Sequence, residues 1–232
     1  MSIPRADLVG LAAAEARLLH DLAALTDDEV AAPSLLPGWT VGHVITHLTR
    51  NADGFTRMAM AAAQGQVGHQ YPGGLDQRSR DIEAGATRPA SEQLDDLRRS
   101  VEDLTAAFGR LGPDAWREGI GIAPTGERRV ADMPFRRWRE VEVHHADMGR
   151  PSFGYDDWSE AYVERELAET LDTLAGRLPD QVALRIDFED VPDVVAIGDG
   201  DAVTVSATRR WVLAWLLGRV DAPDLPELGP WG

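Results

Sequence analysis

The chain has no cysteine and no lysine, and Asn51 is its only asparagine. Without cysteine there is no disulfide framework, no protein thiolate to ligate a metal, and no thiol nucleophile. The redox compartment therefore leaves no trace in the sequence. Without lysine there is no Schiff base, which removes the usual anchor of pyridoxal phosphate. All 23 basic residues are arginine. No apolar run approaches the roughly 20 residues a membrane-spanning helix requires. The opening segment Met1-Ser2-Ile3-Pro4-Arg5-Ala6-Asp7 lacks the apolar stretch of a secretory signal. No membrane partner is expected, and the cytoplasm is the simplest location. Positive charge is also scarce: 39 acidic residues leave a net charge of -16, which argues against a nucleic-acid surface. The shortage of Lys and Asn beside abundant Ala, Arg, Gly and Asp is what GC-rich codon usage produces.

What is present suffices for a folded core. The 232 residues, 44% of them hydrophobic, fit two modest domains. Residues 6–25 carry Leu8, Leu11, Leu18, Leu19 and Leu22 at helical period. After the turn Leu35-Leu36-Pro37-Gly38-Trp39, Thr40 is placed to cap a second helix running to about Gln64. A Gly/Pro-rich loop spans 65–75, and a short helical piece covers 78–84. A third long helix is expected over 91–111, irregular or short-strand structure over 117–130, and a fourth helix from Met133-Pro134 to a C-terminal stop at Gly149. Past Pro151 the texture changes. A helix over 159–178 precedes the alternating Ala183-Leu184-Arg185-Ile186-Asp187-Phe188, which reads as a half-buried strand. Residues 194–197 and 202–206 around Gly198-Asp199-Gly200-Asp201 read as a β-hairpin, and a last apolar helix covers 208–218. The expected class is α+β: a four-helix bundle over residues 1–150, then a small α/β domain over 151–232. Periodicity does not choose the bundle topology.

The densest chemistry lies in Trp138-Arg139-Glu140-Val141-Glu142-Val143-His144-His145-Ala146-Asp147. On a helix Glu140 and His144 sit one turn apart on the same face, close enough to grip one ion. His47, deep in the second helix between apolar neighbours, is the third candidate. Two nitrogens and one oxygen on facing helices suit zinc with an open coordination position. His43 pairs with His47 at the same spacing and is a competing ligand, but its place in the first helical turn predicts exposure and an unfavourable dipole. Glu142 and His145 point off the stripe and read as a solvated or structural pair. Asp147 is placed either to orient the His144 ring or as a plain solvated charge.

Leu36-Pro37-Gly38-Trp39-Thr40 with His43 and His47-Leu48-Thr49-Arg50-Asn51-Ala52, together with 139–149, resembles the two signatures of the mycothiol-dependent maleylpyruvate isomerases. The resemblance covers most of residues 5–150 and extends more weakly beyond. It implies an N-terminal DinB-like bundle that binds zinc at positions matching His47, Glu140 and His144. It also implies an arginine after the second helix, best matched by Arg78, with Arg80 a near neighbour. The implied reaction is the cis–trans isomerisation of maleylpyruvate, an anionic dicarboxylate, to fumarylpyruvate in gentisate breakdown. A double bond rotates only when its π-bond is removed. Conjugate addition of a thiolate does this and elimination restores it. In a chain without cysteine the thiol comes from outside, as mycothiol, a thiol characteristic of actinobacteria. Two other functions compete. One is a mycothiol S-transferase of the same family, which would consume thiol. The other is a non-catalytic carrier whose Trp211 and Trp215 line a cavity.

Overall fold

The computed structural model describes residues 3–231; Met1 and Ser2, part of the segment read for a signal sequence, lie outside them. The chain divides into two compact units, parting between Phe153 and Gly154.

In the first unit α1 (Arg5–Asp21) is followed by the short α2 (Asp27–Ala31) and the long α3 (Val41–Ala63). Then come β1 (Gly68–His69), α4 (Gly74–Ala86), α5 (Ala90–Gly109) and α6 (Pro113–Glu118). The hairpin of β2 (Ile120–Ala123) and β3 (Gly126–Arg129) leads into α7 (Met133–Asp147). α3 begins where its sequence dictates: the Thr40 side chain accepts from the His43 N–H, and the His43 ring accepts from the Thr40 N–H, a reciprocal cap. α7 stops where Gly149 adopts φ +68.

The four long helices close a ring, α1 on α7, α7 on α3, α3 on α5 and α5 on α1, which is the bundle topology that periodicity left open. Leu18, Leu22, Val44, Ile45, Leu48, Met58, Leu97, Leu104 and Trp138 fill its interior. The core also contains charge. Arg137, fully buried, donates from Nε to Glu15 Oε1 at 3.0 Å and from Nη1 to the Leu48 carbonyl at 2.8 Å. Burying a guanidinium is tolerable here because Nε and Nη1 find such partners.

Three pieces of this unit carry no strong period in the sequence. The short α2 and α6 and the two-residue β1 are too brief for a periodicity to register. β1 pairs in parallel with β2, a long-range contact that no local pattern announces. α4 also starts four residues earlier than the 78–84 piece expected, at Gly74.

The second unit contains α8 (Glu160–Leu174), β4 (Val182–Phe188), β5 (Val194–Ile197), β6 (Asp201–Ala207) and α9 (Arg209–Leu216). The strands are as read, but their pairing is not. β5 and β6 form no hairpin: β4 lies between them, antiparallel to β5 and parallel to β6. β4 is the most apolar strand, with Leu184, Ile186 and Phe188 buried, so it takes the centre. The Gly198–Gly200 turn then has to cross the end of β4 at very close range. A Cβ on Gly200, which has φ +153, would lie 2.0 Å from the Gln181 carbonyl oxygen. Gly200→Ala is therefore expected to destabilise the protein by about 2 kcal/mol or more, measured by chemical denaturation. Unchanged stability would show that the crossing relaxes freely.

No helix among the described residues is long and apolar enough to cross a membrane.

Candidate metal centre

α3 and α7 face each other across the bundle, and that packing brings the two distant sequence segments together. His47 on α3 and Glu140 and His144 on α7 offer ligand atoms that all lie within 4.8 Å of one another. His47 Nε2 is 2.9 Å and His144 Nε2 3.4 Å from Glu140 Oε2. The two imidazoles meet edge to face, with centroids 4.6 Å apart. His47 is buried, whereas Glu140 and His144 are half-buried, so the cluster is open on the α7 side.

A tetrahedral ion at ordinary zinc–ligand distances separates its ligand atoms by about 3.3 Å. The spacing around Glu140 differs from that by a few tenths of an ångström, and side-chain torsions absorb such a shift. Two imidazole nitrogens and one carboxylate oxygen, with no thiolate, form a zinc-competent donor set.

The electrostatics follow from the same contacts. Burial pushes the His47 imidazolium down to about 4 from 6.5, and the neighbouring His144 adds to this against the opposing pull of Glu140. His47 is therefore neutral near pH 7, as a metal ligand must be. Burial works the other way on Glu140, but hydrogen bonds from His144 and His47 outweigh it and hold the carboxyl well below its ordinary value. For His144, burial favours the neutral ring, yet the bonds to Asp147 and Glu140 prevail and raise its pKa.

Asp147 is buried and its Oδ2 lies 2.8 Å from His144 Nδ1, so of its two readings the orienting one describes its position. With one proton held on Nδ1, Nε2 is the nitrogen that faces the cluster, where it bonds Glu140. Arg78 on α4 donates from Nη2 to His47 Nδ1 at 2.9 Å. Arg80, its near neighbour, instead bonds Gln77 on the exposed side of α4 at 3.0 Å. Trp39 packs against the His47 ring with centroids 5.7 Å apart.

Two expectations change. His43 is not exposed but half-buried, and its ring is committed to the cap of α3 through Nδ1, with Nε2 3.4 Å from Glu83. The Trp39 ring stacks on the His43 ring, with centroids 6.1 Å apart. Glu142 and His145 are not solvated and do not pair with each other. Glu142 accepts from Arg17 Nη2 at 2.7 Å and Trp138 Nε1 at 3.0 Å. His145 lies 3.0 Å from Asp21 and stacks on Phe153. Both are structural groups tying α7 to α1 and to the segment after α7.

Sequence reasoning passed over Tyr71. It lies two residues beyond β1, and its ring centroid is 5.7 Å from the Arg78 guanidinium carbon. Arg78 and Asn51 are its polar neighbours. The one signal available beforehand was that Asn51 is the sole asparagine of the chain.

Comparison with known proteins bears on the family and the fold. Residues 11–149 match the family described as the mycothiol maleylpyruvate isomerase N-terminal domain. The fold is similar to a crystal structure of the mycothiol-dependent maleylpyruvate isomerase, with a TM-score of 0.86 at 22% identity, covering 100% of this chain and 98% of that one. A mutant of that enzyme matches with a TM-score of 0.85, also at 22% identity and with the same coverage. No curated protein matches the sequence. The family match covers more than half of the chain and takes in α3 and α7, which carry the cluster, and the chain belongs to the mycothiol maleylpyruvate isomerase family.

Proposed function

We propose that this protein is a zinc- and mycothiol-dependent isomerase that converts maleylpyruvate to fumarylpyruvate, with His47, Glu140 and His144 as the metal ligands and Arg78 as a substrate-binding residue. The observation that carries the reading is the convergence of two imidazole nitrogens and one carboxylate oxygen beside a guanidinium, in a chain without cysteine. A structural zinc site would be closed by a fourth protein ligand. Among the described residues only three ligands gather here.

Zinc, when bound, would supply Lewis acidity that stabilises negative charge on a thiolate or on a substrate oxygen. Mycothiol would supply the thiolate whose reversible addition makes the double bond rotatable. The remaining tasks fall to the chain. Asp147 holds one proton on His144 Nδ1, so this ring presents Nε2 once the proton it shares with Glu140 leaves. His47 differs. Arg78 only donates, so His47 Nδ1 accepts and Nε2–H points to Glu140. A His47 ring that offers Nε2 as a ligand must carry its proton on Nδ1, and there it can no longer accept from Arg78. Arg78 is then released to turn its planar fork toward a carboxylate, which it can bind bidentately. In a protein of net charge -16, such local positive charge is what holds a dianionic substrate.

The direct test is to incubate the zinc-loaded protein with maleylpyruvate, with and without mycothiol, and follow fumarylpyruvate. Product formation only in the presence of both metal and thiol is expected. A second measurement addresses Arg78. Arg78→Lys keeps the charge but loses the fork, and turnover is expected to fall about a hundredfold with metal content unchanged. Arg80→Lys, on the exposed side of α4, is expected to leave turnover within about twofold. The reverse pattern in steady-state kinetics would move the substrate-binding role to Arg80.

A further inference from the structure

The buried arginine of the bundle core stands next to the metal ligands on both helices that carry them. Arg137 lies on α7, three residues before Glu140 and seven before His144, so all three share one helix face. It donates from Nη1 to the Leu48 carbonyl at 2.8 Å and to Asn51 Oδ1 at 3.0 Å. Leu48 follows His47 directly on α3, and Asn51 is one turn beyond His47. The guanidinium therefore joins α3 to α7 in the layer next to the one where His47 meets Glu140. From the other side α1 supplies Glu15, whose Oε1 accepts from Arg137 Nε at 3.0 Å.

Stability is a poor explanation for this arrangement. Arg137 is completely buried, Glu15 is 3% exposed, and Arg137 Nη2 has no partner among the described residues. Taking two charges out of water costs about as much as their attraction returns, and an apolar pair of similar volume often holds a core as well. What apolar contacts lack is direction. A planar fork bonded to three acceptors on two other helices fixes spacing, rotation and axial position together. Metal ligands need that precision, because a site works only when its groups are held within about 0.5 Å of the productive geometry. Glu140 and His144 keep their mutual register by sharing one helix. His47 reaches them only through the packing of α3 on α7, and the Arg137 bonds tie those helices beside it.

We propose that Arg137 is a positioning residue of the metal centre: held from α1 by Glu15, it sets the spacing of α3 and α7 at which His47 meets Glu140 and His144. This inference rests on the metal reading of that cluster, and its measure is zinc affinity rather than turnover.

Arg137→Lys keeps a cation opposite Glu15, but one ammonium cannot reproduce the fork's simultaneous bonds to Glu15, Leu48 and Asn51. Zinc affinity, measured by competition with a chromophoric chelator, is expected to fall about 10–100-fold, the usual loss when a group that orients metal ligands is changed. The charge-balanced pair Glu15→Leu with Arg137→Met removes both charges from the core and is expected to remain folded. It should lose zinc affinity to a similar degree even where its thermal midpoint is unchanged. Leu104→Ala is the control, a cavity on α5, which supplies no ligand. It should lower the thermal midpoint yet leave zinc affinity within about twofold. Cobalt in place of zinc gives a spectroscopic reading. Its visible absorption depends on coordination geometry, and the band should shift or weaken in both Arg137 variants but not in Leu104→Ala.

The proposal is overturned if either Arg137→Lys or the folded charge-balanced pair holds zinc within about twofold of the unaltered chain. It is also overturned if zinc affinity merely tracks thermal midpoint, with Leu104→Ala on the same line, because Arg137 would then act through stability alone. Should the charge-balanced pair fail to fold, the comparison of Arg137→Lys with Leu104→Ala decides. An unaltered chain that binds no zinc would remove the metal reading and this proposal with it. That failure is seen in the unaltered chain, whereas failure of the positioning role is seen only in the variants.

Discussion

His47→Ala is expected to lower bound zinc from about one per chain to less than about a tenth, and to reduce turnover by more than about a hundredfold. The size follows from position. Changing the partners that merely orient metal ligands costs about 10–100-fold in affinity or activity, so loss of a ligand should exceed that. His47 is the only one of the three contributed by α3, and the remaining Glu140 and His144 share one helix face. Two ligands on a single turn cannot enclose an ion. The fold should survive, because His47 makes no cap and its removal leaves only an imidazole-sized gap, at a cost of about 1–3 kcal/mol. Circular dichroism and metal analysis on the same sample separate the two effects. His43 offers no rescue, being committed to the α3 cap. Full zinc content and full activity in His47→Ala would mean that the ion, if there is one, sits elsewhere.

Withdrawal of mycothiol should stop isomerisation altogether, an effect limited only by the slow uncatalysed reaction. The chain contains no cysteine, so no protein sulfur can stand in for the missing nucleophile. Catalytic amounts of mycothiol should restore the rate, because elimination returns the thiol at the end of each cycle. The decisive quantity is therefore stoichiometry, read by titrating free thiol while product accumulates. Thiol consumed one for one with the substrate would make the protein an S-transferase. A rate indifferent to thiol would remove both readings and return attention to the carrier. Net charge bears on this experiment too. With -16 opposing long-range attraction of a dianion, apparent affinity for the substrate should rise with moderate salt until Arg78 itself is screened.

Much of the candidate site was legible because its components obey local rules. Glu140 and His144 are neighbours by helical geometry alone, and the i, i+4 spacing carries that information whatever the helix packs against. Thr40 and Gly149 mark where α3 begins and α7 ends through capping chemistry that acts over one turn. His47 was identifiable as interior from its apolar neighbours and as the third candidate beside Glu140 and His144, with His43 competing.

What failed to show in the sequence depends on contacts far apart along it. The misread hairpin is an example. Residues 194–206 have the composition of two strands and a glycine turn, and nothing local distinguishes a hairpin from a crossing over a third strand. The choice fell to β4, whose apolar side chains are best buried with a neighbour on each edge. Glu142 and His145 read equally as solvated or structural because the helix pattern cannot foresee Arg17, Asp21 and Phe153 arriving from α1 and from the segment beyond α7. Tyr71 was invisible for a similar reason: it meets the Arg78 guanidinium only because β1 and α4 both pack on α3.

By itself the sequence determined the amphipathic helices, their caps, the exclusion of protein thiol and lysine chemistry, and the pairing of Glu140 with His144, since each follows from residue type or from spacing within a turn or two. Tertiary structure decided which helices adjoin, that His47 meets Glu140 across the bundle, that Arg78 rather than Arg80 reaches the cluster, and that β4 is central. Those outcomes turn on the burial of apolar surface and the pairing of buried charge across the whole chain, and no window of local sequence contains that sum.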